Sequence, residues 1–571
     1  MSGQPLGLGS TSEQINLECR PVDKVMNLER LGAIHQSRIS FMRSLIRRIA
    51  EQSWKIEPEL FELDRDGYGT VIYRITTPNK FYSFVLFSNY LSPEERNDRV
   101  IATKWDLSMA LIDGEVDPEL LENLRTNVPL QEAGRVNARV FVLSRANRSA
   151  RNFDSIIDSL ANGQQPSIDQ ISRVGYLYRT TAVYGSGKLG MADWEKVESR
   201  HKDFATPFAA EMFVCYMLRN FSLAQVEHIA RQKAPDTFVP MDREIKRFIG
   251  IGNSTGLGMA PYLINHPLLI NQWVATREKA LARVCALGKI DDQITSRFKA
   301  LIERAGLHTQ QTLTEDEWQT ENNILVLEDL AKTAQYVESG IVGWMDLLNW
   351  SEEYCSLQGQ ELLVSIVLEL YPELVNDLEN DQSVIEDYQI EPSMPLRELQ
   401  SLIDSRYRWV YRYDFDAPGA RDTFWYRSEE KMEPRLGYIN EQDGQDKQMP
   451  LGIAYAVYQC SKALKAYVDK HPEATTASFL MEQPEHRGTV RRIQTMGRCE
   501  YGEIQANLLD REILPMHLLR AKLAFFGVGK FDPRSKLWVR NTMFQGAPLL
   551  DELNLPNYDD WFLPTAPEVK N

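Results

Sequence analysis

The sequence predicts a mainly α protein of the α+β class: an N-terminal antiparallel β-sheet, then a large helical body, then a mixed C-terminal region. Three observations predict it. Runs rich in Val, Ile, Thr and aromatics crowd residues 55–145 with short connections, which favours antiparallel pairing. From about residue 150 the apolar spacing turns helical, with capping signals at several starts. Beyond residue 395 aromatic and basic residues interleave with neither period. The organisation expected is a flexible tail at 1–15, a helix plus sheet over 16–150, a helical unit over 151–395 and a mixed unit over 396–571 packed on it.

The elements follow in order. Leu31, Ile34, Met42, Leu45 and Ile49 recur at helical spacing through Arg30–Ser53, and Arg38, Arg43, Arg47 and Arg48 decorate that segment. A solvated basic face is the plain reading of those arginines, and an anion contact the sharper one. Thr70–Thr76 and Phe81–Ser88 read as strands around a Pro78-Asn79 turn, followed by Arg99–Leu111 and Ala138–Ser144. Thr206-Pro207 has the N-cap and N1 pattern for a helix over Phe208–Arg219. Ser222 with Gln225, and Thr314 with Glu317, have capping-box spacing. His266-Pro267 opens a helix through Leu287 that Gly288 ends, and Gln358–Tyr371 is a helix stopped by Pro372. Further helices are expected at Leu396–Ile403, Leu451–Lys470 and Leu514–Phe525. His486–Arg492 reads as a turn-rich basic stretch and Trp538–Pro548 as an ordered loop.

Charge bounds the partners. A net charge of −16 opposes general binding to nucleic acid or anionic membranes, so neither is expected. The six cysteines are far apart and form no CxxC pair, which predicts reduced thiols in a cytoplasmic protein. The start lacks the apolar core of a secretory signal, and no apolar run reaches the ~18–20 residues of a membrane helix. The eight histidines sit singly, without HExxH spacing, so no metal and no tightly bound cofactor is expected. Nothing in the pattern opposes a homo-oligomer.

The chemistry concentrates in Phe248–Pro267, FIGIGNSTGLGMAPYLINHP. Glycines admit close backbone approach, and the N–H groups of such a loop before a helix suit an anion. Gly252, Asn253, Thr255, Gly256 and Gly258 are therefore candidate substrate-binding residues. A dinucleotide fingerprint would need glycine where Thr255 stands, and no Gly-Lys-Ser/Thr closes a P-loop. Gly252-Asn253-Ser254-Thr255-Gly256 satisfies G-x-S-x-G, which makes Ser254 a candidate nucleophile, with His266 as a second candidate catalytic group. The plain alternative is a tight interhelical turn. Gly258–Pro267 is also similar to the signature loop of the aspartase/fumarase lyases. Ala260 splits Met259 from Pro261 and the lysine is absent, so the likeness does not assign that family.

Two other stretches bear on a site. Tyr184–Met191 carries glycines around Lys188, a cation for the same cleft. Arginines from Arg406 to Arg435 interleave with aromatics, which suits a carboxylate or phosphate pocket with Arg427 and Arg435 as ligands. Pairing of those arginines with Asp414, Asp416 and Asp422 is the plain alternative. Beside them, Tyr426, Glu430 and Glu433 are candidates for acid–base work. The function expected is lyase-like acid–base chemistry on a small anionic metabolite. A serine hydrolase or acyltransferase using Ser254 is the first alternative, and a non-catalytic scaffold the second.

Overall fold

The structure is a computed structural model. It describes residues 18–92, 94–95, 104–128, 138–180, 194–256, 263–264, 266–288, 290–340, 343–383, 389–415, 426–428, 434–435, 448–450, 453–505, 514–535 and 538–568. For 426–428, 434–435 and 448–450 it describes the backbone.

The chain enters its sheet early. The strands β1 (Lys55–Leu63), β2 (Gly69–Thr76), β3 (Phe81–Ser88), β4 (Leu107–Asp113) and β5 (Val140–Arg148) pair antiparallel in succession. They are joined by β6 (Tyr176–Thr180) and β7 (Gly250–Gly256). Three short strands, β8 (Tyr426–Ser428), β9 (Pro434–Arg435) and β10 (Gln448–Pro450), form a separate sheet. The last two, β11 (Phe531–Ser535) and β12 (Trp538–Met543), return to the first sheet, whose nine-strand order is β1-β2-β3-β4-β5-β6-β7-β12-β11. The stretches 16–150, 151–395 and 396–571 thus all contribute strands to one sheet.

That sheet corrects the antiparallel expectation. It is mixed, because β6 and β7 run parallel. The reason lies in the connection: short turns return a strand beside its predecessor, whereas β6 reaches β7 through long helical chain. That chain contains the helix Ala209–Lys233, which packs on β5, β6 and β7.

The helices used here are α1 (Phe41–Glu51), α2 (Pro118–Asn127), α3 (Ala209–Lys233), α4 (Arg243–Phe248), α5 (Pro267–Cys285), α6 (Asp292–Gln311), α7 (Glu317–Glu338), α8 (Leu357–Glu369), α9 (Arg487–Arg498) and α10 (Leu514–Phe526). Side chains alternate across a strand, so each strand serves two layers. Phe84, Leu86, Met109 and Leu111 face the main core with α1 and α3. Val85, Phe87, Ala110 and Ile112 face the opposite layer, where Leu120 and Leu124 of α2 cover them. A second core, built from α5, α6, α7 and α8, forms the helical body.

Several local expectations are corrected. Residues 487–498 are the helix α9, not turns, and 538–543 is strand β12, not loop. Ser222 caps nothing: it lies inside α3, and its hydroxyl donates to the Arg219 carbonyl at 2.7 Å. The basic face of α1 is not solvated. Arg43 donates to Glu369 at 2.8 Å and Arg47 to Glu379 at 2.7 Å, and Arg38 pairs with Glu369 and Asp559. Helical spacing placed those arginines on one face, but only the packed α8, the turn Asn376–Asp381 and the C-terminal chain supply the carboxylates. All six cysteines are free thiols. Among the described residues no helix is long and apolar enough to cross a membrane.

Candidate functional site

The stretch Phe248–Pro267 divides. The helix α4 ends at Phe248, and Gly250–Gly256 is β7, an interior strand rather than a loop. It pairs with β12 from Met543 opposite Ile251 to Trp538 opposite Gly256. Its backbone groups are therefore engaged by neighbouring strands, which corrects the loop reading. Two glycines make room for protein. A Cβ on Gly252 would lie 2.6 Å from the Tyr176 ring, and one on Gly250 would lie 2.3 Å from the Met543 carbonyl oxygen.

The strand sends its polar side chains to both faces. Asn253 and Thr255 point inward with Ile251. The Asn253 amide donates to the Thr180 carbonyl at 2.9 Å, and the Thr255 hydroxyl donates to Asn253 Oδ1 at 3.2 Å. Ser254 shares the outer face with Gly252. It is buried, and its Oγ has no hydrogen-bond partner among the described residues.

Register extends that outer face across the sheet. Ser254 lies opposite Arg540, and Arg540 opposite Asp532. In the other direction Gly252 lies beside Arg179, and Arg179 opposite Asn147. Two residues from Asn147, on the same face, Arg145 lies opposite Ser108. A row thus crosses from Ser108 and Arg145, past Arg179, to Ser254, Arg540 and Asp532. With strands about 4.8 Å apart, Ser254 stands roughly 10 Å from both Arg145 and Asp532. The apolar layer under α2 gives way here to hydroxyls, cations and one carboxyl.

Three environments in the row are unusual. Arg145 is buried with its guanidinium 4.0 Å from the centre of the Trp105 ring, and burial pushes its pKa down to about 9. The Ser108 hydroxyl, fully buried, has no hydrogen-bond partner among the described residues. Asp532 Oδ2 accepts from Arg534 at 2.9 Å and from Arg540 at 3.1 Å, while Oδ1 has no partner among the described residues. Burial raises the Asp532 carboxyl above its ordinary range and outweighs Lys530 and Arg534, which pull it down.

The remaining sequence candidates among the described residues belong to other elements. His266 is the N-cap residue of α5 and makes no side-chain capping bond. Tyr426 and Arg427 are on β8 and Arg435 on β9, in the separate sheet. Lys188, Gly258, Glu430 and Glu433 lie outside the described residues, as do the side chains of Tyr426, Arg427 and Arg435. Among the described residues no group of His, Cys, Asp and Glu is arranged to hold a metal ion.

Sequence reasoning found Ser254 but missed Ser108, Arg145, Arg540 and Asp532. The one local signal was an arginine ending the apolar run VFVLSR, since a charge rarely closes a buried strand without a purpose. No protein-family model, curated protein or solved structure matches the chain.

Proposed function

We propose that the chain is an enzyme acting by acid–base chemistry on a small anionic metabolite, held on the outer face of the sheet toward the carboxyl end of β7. Parallel strand ends are where open sheets commonly receive ligands. Arg145 and Arg179 bring positive charge to that face. Asp532, kept closer to neutral pH by burial, is the group suited to move a proton.

The observation that supports the reading most is the pair of buried hydroxyls, Ser108 and Ser254, that share this face and have no hydrogen-bond partner among the described residues. A buried polar group left unsatisfied costs about 1–3 kcal/mol. The two hydroxyls stand three strand spacings, about 14 Å, apart, so anionic oxygens at the two ends of one metabolite would each accept from one of them and lift that cost. A serine nucleophile is less well supported, because no base is hydrogen-bonded to Ser254 among the described residues.

The test is a screen of carboxylate and phosphate metabolites by thermal shift and native mass spectrometry, repeated on Ser254→Ala and Ser108→Ala. Both variants should keep the melting temperature within a few degrees and lose most of the shift caused by the hit. Unchanged affinity in both variants would remove the outer face as the site.

A further inference from the structure

The face just described does not account for α10. This helix, LPMHLLRAKLAFF, is apolar nearly all round yet carries Arg520 and Lys522 into the interior, 6% and 4% exposed. Arg520 borders a cavity of about 40 Å³ between α6, α7 and α10, together with His35, His308, Gln319, Asn323 and Phe531.

Three other buried arginines of this protein are matched. Arg43 has Glu369 and Asp559, and Arg277 has Glu361. Arg219 donates to backbone carbonyls, including Ile249 at 2.7 Å and Ala547 at 2.8 Å. Arg520 differs. It donates to Gln319 Oε1 at 3.0 Å and to His35 Nε2 at 3.4 Å, and its Cζ lies 5.8 Å from the Phe531 ring centre. All three partners are uncharged, since burial and Arg520 itself hold His35 neutral. Both His308 ring nitrogens face carbonyls, of Pro564 at 2.7 Å and Gly529 at 3.1 Å. Among the described residues no carboxylate bonds the Arg520 guanidinium.

A second group needs a partner at the same place. Gln36 is 3% exposed, and its Nε2 has no hydrogen-bond acceptor among the described residues. That nitrogen lies 3.0 Å from the Cβ position of Gly529, a residue of the cavity wall. A buried cation whose hydrogen-bond partners are all uncharged and a buried amide donor without an acceptor among the described residues are the two halves of an anion site.

We propose that this cavity binds a small monovalent anion of about chloride's size, paired with Arg520 and accepting from the Gln36 amide. The volume selects the class. A water needs roughly 10–15 Å³ on this scale, so the 40 Å³ here admits a halide or an anion of a few heavy atoms and excludes a sugar or nucleotide. The site would be structural: it neutralises a cation where α6, α7 and α10 meet, on residues distinct from the outer-face row.

The experiment uses the full chain. Melting temperature is measured as chloride replaces isethionate at constant ionic strength, and crystals grown in sodium bromide are examined for anomalous scattering. The wild type should gain stability saturably with chloride and show bromide beside Arg520. Arg520→Gln should lose the bromide peak and raise the half-saturating chloride concentration at least about tenfold, the loss of a charge-assisted partner. Gln36→Leu, which keeps the arginine, should raise it severalfold, and it carries the test if Arg520→Gln fails to fold. A wild type with no bromide in the cavity, a bromide peak without chloride-dependent stability, or variants with the wild-type dependence would each overturn the proposal.

Discussion

The ring of Tyr176 occupies the space a side chain on Gly252 would need, 2.6 Å from the glycine's Cβ position. Gly252→Ala should therefore lower the melting temperature, by the about 1–3 kcal/mol typical of overpacking. Adding Tyr176→Leu, which frees the space, should return part of it. Calorimetry on the single and double variants decides. A Gly252→Ala protein as stable as the wild type would show that the ring yields, and would return the glycine to a ligand role.

Glu361 accepts from three guanidinium groups, Arg20 at 2.8 Å, Arg30 at 2.8 Å and Arg277 at 2.7 Å. Glu361→Gln leaves three cations around an uncharged group, which should cost about 3–5 kcal/mol at pH 7. The arginines hold the Glu361 carboxyl well below its ordinary value of 4.5. The folded pKa is depressed, so the stabilisation is complete above pH 4.5 and is lost as pH falls from there through the depressed value. The gap between wild type and variant in urea melts should narrow below pH 4.5 and stay constant from pH 6 to 8.

Lys522 is buried against the Phe526 ring at 5.1 Å, and burial pushes its pKa down to about 8. The unfolded lysine, at 10.5, keeps its proton across a window in which the folded one has lost it. Stability should therefore rise with pH between about 8 and 10.5. Lys522→Met should melt higher than wild type at pH 7, with the advantage shrinking as pH climbs through that window. A constant advantage would mean that the folded lysine titrates like the unfolded one.

Asn541 sits opposite Asn253 on the inner face, buried, with neither side-chain amide atom bonded among the described residues. Asn541→Leu should stabilise the protein by about 1–3 kcal/mol and leave binding at the outer face unchanged. Lost binding with a raised melting temperature would move the ligand to the inner face.

Asp532→Asn tests the proton-transfer role. Turnover of the metabolite found by the screen should drop by about 10²-fold or more. The wild-type rate should show a limb titrating above the ordinary aspartate value of 3.8, since burial raises the carboxyl. A variant retaining both rate and limb would leave Asp532 a structural partner of Arg534 and Arg540.

Much of the local structure was legible. Thr70–Thr76 and Phe81–Ser88 announced β2 and β3 by composition and the turn between them, and Pro267 and Gln358 marked helices found within a residue or two. Local rules suffice there because cap, turn and period all involve neighbours in sequence. The same rules failed at Gly250–Gly256. In GIGNSTG only Ile251 and Thr255 favour a strand against three glycines and an asparagine, and the segment is a strand because Tyr176 and β12 pack against it from afar.

What the sequence determined by itself was the class of the chain: mainly helical, acidic, with free thiols and a chemically dense segment around Ser254. Tertiary structure alone decided what stands beside Ser254. Arg145 precedes Ser254 by more than a hundred residues, and the consecutive strands carrying Asp532 and Arg540 follow it by more than two hundred, all brought level by hydrogen-bond register. Register is a property of paired strands, and pairing between distant segments leaves no periodic trace in either one. The same holds for Arg520. Its helix shows a cation in an apolar run, but only the packing of α6 and α7 reveals that no carboxylate among the described residues meets it.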